Sequence, residues 1–176
     1  IEKGINHLDV APMYGKGEAE RVVGEVFKGR ELDGIKITTK CRLGTLPDEE
    51  VYDRLNTSLN KSLDNLNMEK VDLFLLHSQL REDDFQLYTL NEYRETNTTS
   101  LSCYYNSVIP ALERLKKEGK IGSWGIGGLG QNNAIIQAIN HETKPEAIQC
   151  VINPLNSGGA IGYVDADYNP NSILKE

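Results

Sequence analysis

Five short apolar runs alternate along this chain with segments of helical periodicity, and that alternation limits the fold more than any other feature. The runs lie at residues 5–10, 34–40, 71–77, within 120–130, and at 147–153. Helices are expected between them: over 18–28, with Val22, Val23, Val26 and Phe27 in one stripe, and from Pro47 onward, with Val51, Leu55, Leu59, Leu63 and Leu66 on the buried side. Two more are expected over 108–117 and 131–140. The run through Leu73, Phe74, Leu75 and Leu76 lacks polar alternation, as a strand does when both faces of a parallel sheet are covered. Strand then helix, repeated, calls for an α/β fold.

Three of these strands end on polar residues that could serve one another. The first ends near Asp9, the second on Lys40 and the third on His77, while Tyr14 sits on the loop after the first. A phenol titrates near ~10 and does little at neutral pH unless a cation favours its anion. A buried lysine supplies that cation and itself needs a carboxylate to remain charged. In an eight-stranded β/α barrel the carboxyl ends of all strands face one rim, where residues distant in sequence meet.

The stretches D-V-A-P-M-Y-G, I-T-T-K and L-F-L-L-H, in that order, resemble the aldo-keto reductases. The likeness continues through A-L-E-R-L-K-K-E-G-K-I-G and A-I-Q-C-V-I-N. It implies a TIM (β/α)8 barrel and a nicotinamide cofactor, NADPH with NADH possible. It also implies reduction of a small aldehyde, ketone or sugar to an alcohol. By position, Tyr14 would be the acid-base group, Lys40 and Asp9 the pair that tunes it, and His77 the residue that orients the carbonyl. Gln149 matches the family's glutamine for the nicotinamide carboxamide. Gly127-Gly128 stands where many members carry Ser-Asn, so backbone groups there would have to replace side-chain contacts. No metal is required.

Two other readings follow from the same residues. Gly125, Gly127 and Gly130 fit G-x-G-x-x-G between a strand and a helix, the setting of a Rossmann-type dinucleotide site. The following strand ends in Asn153 and lacks the acidic residue that would meet a ribose hydroxyl. The second reading is a catalytically silent relative acting as a structural or interaction module. It arises because about five of eight β/α units can be counted, giving a single partial barrel domain over 1–176 with the first and last strands of a full barrel expected to be absent. Open sheet edges would then invite self-association.

Composition narrows the rest. The formal charge of −7 argues against a general nucleic-acid or anionic-membrane surface, and no apolar run approaches the ~20 residues of a membrane span. The three cysteines, Cys41, Cys103 and Cys150, are widely spaced, which suits a reducing, cytoplasmic setting. The long polar stretch 79–106 is expected as a loop over the site, with its tyrosines able to shape a substrate pocket.

Overall fold

Each β-branched run settles into the sheet as a short strand, and the order of the strands follows the order of the chain. A computed structural model describes residues 3–30, 34–85 and 96–150. The strands are β1 (His7–Asp9), β2 (Lys36–Cys41), β3 (Val71–Leu76), β4 (Gln79–Arg81), β5 (Thr98–Ser100), β6 (Ile121–Ile126) and β7 (Ala147–Ile148). The helices are α1 (Glu18–Phe27), α2 (Asp48–Leu66), α3 (Leu101–Cys103), α4 (Ile109–Lys117) and α5 (Asn132–Ile139). Five strands form one parallel sheet in the order β1-β2-β3-β6-β7. The sheet curls so far that side chains from its two edges meet, Gln149 just past β7 donating to Asp9 of β1 across 2.8 Å. This is a curled portion of a β/α barrel.

Alternation along β2 separates two environments. Ile37 and Cys41 join the apolar layer between sheet and helices, and Thr39 points the same way to donate to Glu20 of α1. Thr38 and Lys40 point to the concave side, where they meet His7 and Asp9. The core lies outside the arc: Val51, Leu55, Leu59, Leu63 and Leu66 of α2 and Leu112 and Leu115 of α4 pack toward Phe74, Leu76 and Trp124.

Helix α1 departs from the stripe expected of it. Val22 and Val26 are 52% and 48% exposed, and the fully covered positions are Glu20 and Gly24. The reason is the crossing with α2: a Cβ at Gly24 would stand 2.4 Å from the Asn65 carbonyl oxygen, so only glycine admits so close an approach. Beside it the Glu20 carboxylate accepts from the Thr39 hydroxyl (2.7 Å) and the Asn65 amide (2.9 Å). Val23 and Phe27 of the stripe do pack against the core, and polar satisfaction at Glu20 and backbone proximity at Gly24 set the rest of this face.

The stretch after β3 is also more ordered than its composition suggests. β4 pairs with β5 in parallel, and Leu80 exchanges backbone hydrogen bonds with the loop after β6. Helical structure begins at Leu101, not 108, and runs through a π turn (Tyr104–Val108) into α4. The Ser100 hydroxyl caps it by accepting from the Cys103 N–H, and Tyr104 is fully buried. Residues 86–95, with Tyr88 and Tyr93, lie outside the described residues, as do residues 151–153 of the fifth expected strand.

Candidate active site

The loop after β1 carries Tyr14, and its backbone explains how. The Tyr14 N–H closes a turn on the Ala11 carbonyl, then Gly15, Lys16 and Gly17 take left-handed φ values of 58°, 56° and 91° before α1 begins. Glycine makes two of these three positions inexpensive. The turn leaves Tyr14 above the carboxyl ends of β1 and β2.

Lys40 comes up from β2 to meet it. Its side chain is only 2% exposed, and its ammonium lies 2.8 Å from Asp9 Oδ1, 3.2 Å from the Tyr14 hydroxyl and 3.3 Å from the Val10 carbonyl oxygen. The same nitrogen is 4.9 Å from the centre of the Tyr14 ring. A buried cation needs this many acceptors. Asp9 is 39% exposed and takes Gln149 on its other oxygen, so four residues from β1, its loop, β2 and the end of β7 form one connected cluster.

His77 follows β3 directly, and its N–H donates to the Cys41 carbonyl. Burial, with the Lys40 and Arg42 cations adding to it and Asp9 opposing, holds its imidazole below the usual histidine range. Nδ1 is buried with no hydrogen-bond partner among the described residues. Gly127 lies against it, since a Cβ there would be 3.5 Å from His77 Cδ2. The Gly127 N–H is already given to the Leu76 carbonyl.

The glycine loop is filled by its own fold. Side chains at Gly125, Gly128 and Gly130 would stand 2.2–2.3 Å from the carbonyl oxygens of Ala147, Gln149 and Leu80. These glycines let neighbouring backbone approach, which leaves no hollow there for a pyrophosphate. Among the described residues the sheet order is sequential, without the reversal point that a doubly wound dinucleotide fold requires.

The model of the aldo/keto reductase family matches residues 1–164. The chain belongs to that family. An uncharacterized oxidoreductase of Bacillus subtilis is 29% identical over 137 residues, which cover 75% of this chain and 38% of that protein. An NADH-specific methylglyoxal reductase of Escherichia coli is 26% identical over 204 residues, covering 95% and 57%. Among solved structures, an aldo/keto reductase from Klebsiella pneumoniae in complex with NADP and acetate aligns with a TM-score of 0.60 at 25% identity, covering 92% of this chain and 48% of that one. The chain therefore spans about half or less of the length of most relatives it matches. Its family relatives are oxidoreductases, and among the described residues no helix is long and apolar enough to cross a membrane.

Two residues beside this cluster escaped sequence reasoning. Val10 contributes through its carbonyl, which no side-chain pattern announces. Arg42 follows the end of β2 directly and is exposed. Its guanidinium reaches Met13 Sδ at 3.6 Å.

Proposed function

We propose that the protein reduces an aldehyde or ketone to an alcohol with NADPH, or with NADH in its place. The observation that carries this reading is the Lys40 ammonium held between the Asp9 carboxylate at 2.8 Å and the Tyr14 hydroxyl at 3.2 Å. Once bound, the nicotinamide cofactor supplies the hydride. The donor set suits its carboxamide end: Gln149 commits its amide nitrogen to Asp9 and keeps a carbonyl oxygen for an outside N–H. Gly127 and Gly128, lacking side chains, line the wall next to His77 and Gln149.

Tyr14 gives its proton to the carbonyl oxygen as negative charge builds there, the point at which a positioned donor does most. As the proton leaves, charge appears on the phenol oxygen, and Lys40 stabilises it. Asp9 holds the ammonium in place. His77, held neutral, can donate one N–H to the same carbonyl oxygen. Placing that hydrogen on Nε2 leaves the buried Nδ1 as an acceptor and not an unmet donor, the less costly vacancy.

The test is Tyr14→Phe in the full-length protein. Loss of NADPH-dependent carbonyl reduction by about 10²-fold or more is expected, with NADPH binding largely intact. Retention of most activity removes Tyr14 from this role. A wild-type protein that binds no nicotinamide cofactor would favour the silent-module reading.

A further inference from the structure

We propose that Ser78 is a positioning residue for carbonyl reduction, its hydroxyl setting where the His77 imidazole stands relative to Lys40 and Tyr14; this rests on the reductase reading above. The aim of a working imidazole is usually set by the hydrogen bond that its other nitrogen makes. His77 lacks that contact: Nδ1 is buried with no hydrogen-bond partner among the described residues. Its placement therefore depends on its own backbone and on packing, with Gly127 against one edge of the ring.

That backbone is held from both flanks. Parallel pairing of β2 with β3 stops at Cys41 and Leu76, and the His77 N–H then bonds to the Cys41 carbonyl at 2.8 Å. On the other flank the Gly127 N–H donates to the Leu76 carbonyl, also at 2.8 Å. Past this point the chain after β2 leaves the sheet for α2, and the ladder no longer keeps it beside β3. Ser78 does so instead. Its hydroxyl oxygen accepts from the Leu43 N–H at 2.9 Å and from the Gly44 N–H at 3.0 Å, and the residue is only 2% exposed.

Two successive amides converge on one oxygen where the chain turns, and here Gly44 takes a left-handed φ of 79°. A hydroxyl has two lone pairs, and both are filled. Leu43 and Gly44 are buried, so their N–H groups need an acceptor other than bulk water. The same loop is fastened farther out: the Thr99 hydroxyl donates to the Gly44 carbonyl and the Thr45 hydroxyl to the Thr98 carbonyl, each at 2.9 Å. Those bonds tie the loop to β5, whereas the Ser78 bonds tie it to the residue beside His77. Ser78 thus joins the segment that continues from Lys40 to the one that carries the imidazole.

The experiment measures NADPH-dependent reduction of 4-nitrobenzaldehyde and of methylglyoxal by the full-length protein carrying Ser78→Ala, Ser78→Val or Ser78→Thr. Valine and threonine share a shape and differ in the acceptor oxygen. Ser78→Ala and Ser78→Val should lower kcat by about 10–100-fold, the scale of a small misplacement of a reacting group, with NADPH affinity by cofactor fluorescence within about twofold of wild type. Ser78→Thr should keep kcat at least about fivefold above Ser78→Val. Added to His77→Asn, Ser78→Ala should lower kcat by less than about twofold further, whereas a loss not routed through His77 would recur in full. Equal kcat for the threonine and valine variants, an unchanged kcat for Ser78→Ala, or the full loss repeated beside His77→Asn overturns the inference and leaves the reductase reading intact. Failure of both Ser78→Ala and Ser78→Val to fold, read by circular dichroism, also overturns it, making Ser78 chiefly structural. A wild type that reduces neither aldehyde overturns both.

Discussion

Replacing Lys40 by Met separates chemistry from stability, because the two should move apart. The ammonium is 3.2 Å from the Tyr14 hydroxyl. Unit charges at that separation interact by roughly 5 kcal/mol at an effective dielectric of ~20, and by about 1.3 kcal/mol at that of bulk water. Tyr14 is 41% exposed and the Asp9 carboxylate opposes the lysine, so a value between these limits applies. About 3 kcal/mol of lost transition-state stabilisation corresponds to a rate reduction of roughly 10²-fold. Stability should behave differently. Methionine fills similar volume without a charge to desolvate, and Asp9, being 39% exposed, is not left as a buried unpaired charge, the situation that makes loss of one ion-pair partner costly. Asp9 would be left with water and the Gln149 amide. The assay pairs kcat/KM at saturating NADPH with the urea midpoint of the same preparation. A variant within about threefold of wild-type kcat/KM would refute the electrostatic role. So would a stability loss of about 3 kcal/mol or more, which would make Lys40 chiefly structural.

Two further predictions concern the frame around the site. Gly125→Ala places a methyl 2.2 Å from the Ala147 carbonyl oxygen and 2.8 Å from Leu75 Cδ2, and backbone cannot yield as a flexible side chain can. A loss of about 2 kcal/mol or more is expected, and an unchanged melting temperature would show that β6 and β7 do not approach so closely. His77 predicts a pH dependence. Its imidazole is held below the ordinary range, so the unfolded chain gains a proton near pH ~6.5 that the native state refuses, and stability should fall as pH drops through that region. His77→Asn should lose this part of the slope in urea midpoints taken between about pH 7.5 and about pH 5.5, and superimposable slopes would count against a neutral buried imidazole.

Much of the cluster was legible because strand ends announce themselves. Asp9, Lys40 and His77 each close an apolar run, and parallel strands joined by helices bring their carboxyl ends to one side whatever the sequence between them. The register bears this out, with Lys40 beside Leu75 and Leu75 beside Gly125. The face of α1 was only half right, Val23 and Phe27 packing while Val22 and Val26 do not, because apolar periodicity is blind to a glycine that lets two backbones touch and to a carboxylate that finds partners in Thr39 and Asn65. The order within 79–106 was hidden because its strands are three residues long and its helix starts from a serine cap in polar company.

By itself the sequence determined the class of fold, the alternation of strand and helix, and which polar residues stand at strand ends. These depend on local patterning, which does not change with what lies across the sheet. Only the tertiary structure decided how tightly the sheet curls, and therefore that Gln149 reaches Asp9 across 140 residues. It also decided that the space beside the glycines in and after β6 is occupied by neighbouring carbonyls, and that Gly24 lets α1 approach the Asn65 backbone. Each of these depends on distances between segments far apart in the chain, and those distances exist only once the core has packed.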